Sequence, residues 1–338
     1  MKTCTWAPTV FQGTQVTGPA GGGKPPTGEA LRALAAGYTA KLEDLGISHL
    51  LIAQRWWGSG EEIEASSLDC LAMTSTFAAH SHCLQLVTAI HPGFFQPTAI
   101  AKWGATMHAL TSGRWHINVV SGWNMEEFDM YGIDPLDHDT RYARSAEFIE
   151  VLRGAWTERP FSYEGQYYRA SDLRLEPQPE SPLQIFQGGQ SEAAIAMAGK
   201  HSDWMFMNGG SPEKVERIMR RAQAAAAPHG RQLKFALYAA PLCRPTDAEA
   251  WAEINARIER IDPAMASRRR QRVGSAQGMW AEEDALSMLD TNEGYMSGLI
   301  GSPDTVMARI NEFRELGVEM LHLDLGDKLF VDEVLPHI

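Results

Sequence analysis

A side-chain amide, Asn118, stands where an apolar, β-branched run meets a loop, and Ser121, Gly122 and Trp123 follow at once. An amide there presents both a donor and an acceptor to whatever the loop encloses. It could orient a polar ligand, and it could equally satisfy a buried backbone group. Trp123 could wall a ligand or join the core. Further on, Gly188, Gly189, Gln190 and Ser191 end one strand and open a helix. Two glycines let backbone come close to an anion, and a helix start offers unpaired N–H groups at the positive end of its dipole. Ser191 suits a phosphate contact and also a plain helix cap. His91 ends another strand just before Pro92 and Gly93. Its ordinary pKa suits acid–base work, although a packed histidine beside a proline turn reads equally well. His138 is open in the same way.

Trp6, Gln54, Arg55, Trp56, Trp57, Thr88 and Phe94 also fall at expected strand ends. Aromatic walls exclude water from a reacting centre. Tryptophan is also an ordinary core residue, so only a place at the C-terminal end of a strand argues for function. The sequence has no HExxH, no His/Cys pair at ligand spacing, no GxSxG elbow and no P-loop. It also lacks GxGxxG, which leaves tight nicotinamide binding of the Rossmann type unsupported.

These residues need a scaffold that brings strand ends together. The hydrophobic pattern alternates strands and helices along the chain, the signature of a parallel α/β sheet. Strands are expected at Thr3–Phe11, Ser48–Ala53, Leu84–Ile90, Arg114–Val120, Pro182–Gln187, Asp203–Met207, Leu233–Leu242 and Glu319–Leu325. Helices are expected between them, Leu31–Leu45, Thr140–Trp156 and Pro303–Leu316 being the clearest. Eight strands favour a closed TIM (β/α)8 barrel over an open doubly wound sheet, and barrels build their sites at the C-terminal strand ends. We expect a single domain over 1–338, with an inserted segment at about 246–297 before the last strand. The stretch from Pro160 to Pro179 reads as a small hairpin set on the barrel. The glycine- and proline-rich loop after the first strand reads as either a lid or a slack connection. The basic run Arg268–Arg272 reads as a solvated loop rather than a cover over the barrel mouth.

Composition narrows the classes. A balance of 30 basic against 42 acidic residues gives a formal charge of −12, which disfavours nucleic acid and anionic membrane as partners. The sequence holds no apolar run of about 18 residues, so no membrane span is expected. Its first residues read as a mature start rather than a signal peptide. Four scattered cysteines read as reduced thiols of a cytoplasmic protein.

Three motifs in order, NVVSGW at 118–123, DHDTRYARSAEF at 137–148 and IFQGGQS at 185–191, resemble those of the luciferase-like flavin-dependent monooxygenases. Within them the chain is most similar to the dimethylsulfone monooxygenases, with the alkanesulfonate and pyrimidine-ring enzymes more distant. The resemblance implies FMN in its reduced form, supplied by a separate NAD(P)H flavin reductase, with O2 as co-substrate. It implies that the flavin phosphate is held by Gly188, Gly189, Gln190, Ser191 and Tyr142. It places the flavin ring near Asn118, Ser121 and Gly122, with Asn118 and Trp123 at the chemistry, where its strand-end position would also set His91. Trp6, Arg55, Trp56 and Tyr238 would face the substrate. The alkanesulfonate enzymes carry an arginine and a histidine on the strand before the insertion. The aligned positions here look like Leu237 and Ala239, so a small neutral substrate such as a sulfone fits better, its C–S bond cleaved to a sulfinate and an aldehyde. Rival readings are a monooxygenase of another neutral molecule (a heterocycle or an amide), an F420-dependent oxidoreductase and a non-catalytic flavin-binding protein. Similar proteins are homodimers or homotetramers.

Overall fold

The computed structural model describes residues 1–11, 14–19, 24–56, 67–272, 284–290 and 292–338. Strands β1 (Lys2–Trp6), β2 (His49–Ile52), β3 (Gln85–Ile90), β4 (Trp115–Val119), β5 (Ile185–Gly188), β6 (Trp204–Met207), β7 (Lys234–Ala239) and β8 (Met320–Leu323) form one closed barrel. Each pairs in parallel with its neighbours, and β8 closes the ring against β1. The expected eight-stranded α/β barrel is therefore observed. The first strand stops at Trp6 rather than Phe11. Pro8 has no N–H for a ladder, and Thr9 donates back to the Ala7 carbonyl in a turn. The seventh strand likewise ends before Pro241, and Leu242–Cys243 pairs with Ile300–Gly301 outside the barrel.

Helices α1 (Gly28–Asp44), α2 (Cys70–His80), α3 (Pro97–Leu110), α4 (Met125–Met130), α5 (His138–Thr157), α6 (Glu192–His201) and α7 (Pro212–Ala226) follow their strands. After β7 come α8 (Asp247–Glu259), α9 (Pro263–Arg272), α10 (Pro303–Leu316) and, beyond β8, α11 (Lys328–Glu333). Local chemistry sets many of their starts. Asp69, Asp137, Ser191, Ser211 and Ser302 each accept an N–H from the first turn, and Thr246 forms a reciprocal capping box with Glu249. The expected hairpin is Phe161–Glu164 paired antiparallel with Arg169–Leu173.

Strand parity divides the core in two. Cys4, Leu51, Val87, Phe186, Trp204, Phe206, Ala236 and Met320 pack inside the barrel with Trp6. The alternate residues, among them Ile52, Leu86, Ile117, Ile185, Met205, Leu237 and Leu321, join the larger layer between strands and helices. Register then fixes Asn118: it pairs with Ala89 and with the inward-facing Phe186.

The basic run is not a solvated loop. It belongs to α9, where Arg269 is buried and donates from Nη1 to the Met288 carbonyl at 2.8 Å. Apolar contact holds α9 down: Ala266 and Met288 pack with Val16, and the Asp262 N–H reaches the Val16 carbonyl at 2.7 Å. Val16 belongs to the glycine- and proline-rich loop, where Thr14–Gln15 pairs with Gly18–Pro19. Residues 12, 13 and 20–23 of that loop lie outside the described residues.

Phe186 stacks on both Trp204 and Phe206 with ring centroids 5.4 Å apart. Phe186→Ala should cost about 3–5 kcal/mol of stability, read as a lower urea midpoint at unchanged slope. A midpoint equal to wild type would show that the interior layer does not hold the barrel.

Candidate active site

The C-terminal strand ends surround a cavity of about 1090 Å³, counting its open mouth. Trp6, Arg55, His91, Asn118, Ser121, Gly122, Trp123, Tyr142, Gly188, Gly189, Gln190 and Tyr238 all line it. Gln54, His138 and Arg141 do so as well.

At one end Gly188, Gly189 and Gln190 bring the cavity to the start of α6. Ser191 caps α6, its Oγ accepting the Ala194 N–H at 3.2 Å, and the Tyr142 side chain lies near it. Gly189 has φ +119°, and a Cβ there would stand 2.7 Å from the Tyr142 hydroxyl, so only glycine keeps this corner open. Burial raises the Tyr142 phenol above its ordinary pKa, which keeps it protonated as a donor. His138 packs its ring 4.9 Å from that of Tyr142. Arg141 is buried beside them and donates to the Leu136 carbonyl at 2.8 Å.

At the β2 and β4 ends the cavity has polar atoms in want of partners. Asn118 Oδ1, Ser121 Oγ and Gln54 Nε2 are buried and have no hydrogen-bond partner among the described residues. Leaving such an atom unpaired costs about 1–3 kcal/mol, so their concentration at one wall marks a place for a polar ligand edge. Gln54 is held by the His91 N–H, which donates to its Oε1 at 2.8 Å. Arg55 lies over the Trp123 ring at 5.1 Å. Helix-start corner, polar wall and aromatic surface together fit a phosphorylated, ring-bearing ligand of the FMN type.

His91 lies in the cavity wall, but its protonation differs from the sequence expectation. Burial pushes its pKa down to about 3, with the Arg55 cation adding to the effect. The Glu127 carboxylate is 3.8 Å from Nδ1, too far for a hydrogen bond, and the Phe128 ring lies parallel at 6.4 Å. His91 is therefore a neutral imidazole rather than a residue poised to titrate near neutrality.

Trp56 is not in the wall. Its ring packs against Phe94 at 5.4 Å and Phe95 at 5.3 Å, and the Trp56 backbone N–H donates to Glu127 Oε1 at 2.7 Å. Thr88 is also set back, accepting from Trp115 Nε1 at 2.9 Å. Trp57 lies outside the described residues. Leu237 and Ala239 belong to the strand–helix layer and cannot reach a ligand, and Tyr238 between them faces the cavity instead. Sequence reasoning did not single out His322, which lines the cavity beside Tyr238. Phe206, Met207, Asn208 and Asn292 were missed as well. The available signal for His322 was its parity with Met320 in an otherwise apolar strand.

Residues 1–320 match the luciferase-like monooxygenase family. The chain belongs to that family. It is a flavin-dependent monooxygenase, as the motifs implied. It is 34% identical over 316 residues to the FMNH2-dependent dimethylsulfone monooxygenase of Pseudomonas fluorescens, covering 88% of this chain and 86% of the relative. With the enzyme of the same description from Pseudomonas putida it shares 36% identity over 282 residues, covering 79% and 78%. In fold it resembles the EDTA monooxygenase of Chelativorans sp. BNC1, with TM-score 0.74 and 19% identity over 99% of this chain and 93% of that one. A riboflavin lyase superposes at TM-score 0.78 with 19% identity over 99% and 90%.

Several histidines share the depressed state of His91. Burial drives His49, His91 and His322 to about 3 and His116 to about 4. Their folded pKa values lie below the unfolded value, so the unfolded state binds protons first as the medium is acidified. Their contribution is complete above about pH 6.5 and shrinks by about 1.4 kcal/mol per pH unit for each histidine below it. The Tm should fall steeply from pH 6.5 to pH 4.5. A flat Tm over that range would show that these histidines are charged in the folded protein.

Proposed function

We propose that this chain is the oxygenating component of a two-component system, taking reduced FMN from a separate reductase and using O2 to cleave a C–S bond of a small, uncharged organosulfur compound such as dimethylsulfone. The relatives of that description, similar over most of the chain, support the substrate class. The observation that carries the reading in this chain is the division of one cavity into an anion corner and a separate aromatic wall with no cation contributed by β7.

In this reading Ser191, Tyr142 and the Gly188–Gly189 backbone hold the FMN phosphate at the start of α6. Asn118, Ser121 and Gln54 meet the polar edge of the flavin ring, and Trp123 borders it. Bound reduced FMN supplies two electrons and activates O2. The chain binds the substrate beside it and keeps water out with Trp6, Trp123, Phe206 and Tyr238. Neutral His91 and protonated Tyr238 put no fixed charge against an uncharged substrate. For dimethylsulfone the balance is sulfone, O2 and reduced FMN giving methanesulfinate, formaldehyde, water and oxidised FMN.

With a flavin reductase, FMN and NADH, the purified protein should release formaldehyde and methanesulfinate in equal amounts from dimethylsulfone, dependent on O2. Absence of both products with reduced FMN bound would overturn the substrate assignment. Ser191→Asp should weaken FMN binding by about tenfold or more, since it sets an anion against the phosphate at the helix start. Unchanged FMN affinity would remove the phosphate from this corner. Asn118→Ala should lower coupled turnover at least about tenfold with little change in Tm. Full coupling in that variant would take Asn118 out of the site.

A further inference from the structure

The flavin end of the cavity does not account for His322. It sits on β8, in register with Tyr238 on β7 and Cys4 on β1. In the ring of strands this is the side opposite β4 and β5, which carry Asn118 and Gly188. The rings of Trp6, Tyr238 and Phe206 surround the imidazole at 4.5, 5.2 and 5.6 Å. The residue is 3% exposed, yet its Nε2 has no hydrogen-bond partner among the described residues. Nδ1 of His91, also in the cavity wall, and Nδ1 of His108 lack a partner as well, whereas His49, His108 and His116 each bond a neighbouring side chain through one ring nitrogen: His49 to Ser48 at 2.8 Å, His108 to Ser181 at 3.0 Å, and His116 to Gln85 at 3.0 Å. A histidine kept only for packing would be expected to resemble them. Burial alone drives His322 to about 3, with no charged neighbour contributing, so its ring is neutral.

We propose that His322 is the hydrogen-bonding residue of the substrate wall, its neutral imidazole orienting an uncharged, oxygen-bearing substrate inside the cage of Trp6, Phe206 and Tyr238. The proposal rests on the proposed function in taking the β4–β5 side for the cofactor and a small sulfone for the substrate. A neutral N–H donor suits a sulfone oxygen, which accepts a hydrogen bond without bringing a charge into the cage. A sulfonate would bring a full negative charge to a wall whose histidine supplies no counter-charge, which is unfavourable in a buried setting. His322 therefore selects sulfone over sulfonate as well as positioning it.

The test is titration of the purified protein–FMN complex with dimethylsulfone, and with methanesulfonate as charged comparator, followed by the flavin absorbance. In His322→Phe, which keeps an aromatic ring and removes the nitrogens, the Kd for dimethylsulfone should rise about tenfold or more. His322→Gln, which keeps a donor, should recover part of that loss. FMN affinity should stay within about twofold of wild type in both, a split that a merely structural role would not produce. If His322→Phe does not fold, His322→Gln and His322→Asn are compared instead, and the shorter side chain should bind the sulfone more weakly. Equal sulfone affinity in wild type and the variants overturns the proposal. So does tighter binding of methanesulfonate than of dimethylsulfone by wild type, or no binding of dimethylsulfone at all. Sulfone binding that depends on His322 without O2-dependent product would leave this inference standing and overturn the oxygenation reading instead.

Discussion

Closure of eight parallel strands into one hydrogen-bonded ring is the constraint on which the rest of this molecule depends. Once the ring closes, every strand residue has a fixed choice between the interior and the helix layer. A shift of one residue in β4 would send Asn118 into the apolar layer and bring Ile117 or Val119 inside. The same parity puts Tyr238 and His322 side by side on the inner face. It also sends Leu237 and Ala239 outward, where they pack and do nothing else. Aromatic stacking through Phe186, Trp204 and Phe206 fills the ring below the cavity, so the strand ends above stand on a packed floor.

Burial then determines the chemistry of what parity brings together. Most polar side chains at the strand ends are deeply enclosed, and the histidines among them stay neutral. Asn118, Ser121 and Gln54 each leave a polar atom unpaired in a setting where most such atoms find partners. Their cost is offset when a ligand arrives, which makes the empty site less stable and the loaded one better ordered. His322 on β8 lies across the ring of strands from Asn118 on β4, and both residues line the one cavity.

Segments remote in sequence meet near the cavity mouth. Val16, from the connection after β1, packs with Ala266 and Met288 from the chain between β7 and β8, and Trp123 lies against the same cluster. Asn292 reaches the cavity wall from this region, and its carbonyl accepts the Gly209 N–H at 2.9 Å. Packing of this kind converts a charge-rich stretch into an ordered helix. Arg269 is drawn under it to the Met288 carbonyl, an outcome that charge content alone argues against.

Sequence by itself determined the strand–helix alternation, the number of barrel strands, the capped start of α6 after two glycines, and the family. Those features are local. They depend on period-two and period-3.6 patterns, on proline and glycine, and on short motifs whose residues touch one another. Tertiary structure alone decided which strand residues face inward at each position, because parity is set by register with neighbours far along the chain. It moved Trp56 out of the wall by packing it on Phe94 and Phe95, and it brought in His322, whose place beside Tyr238 depends on register between β7 and β8. It also decided protonation. His91 reads in the sequence as either a titrating residue or a packed one, and the fold makes it neutral, because desolvation depends on everything packed around a group rather than on the group itself.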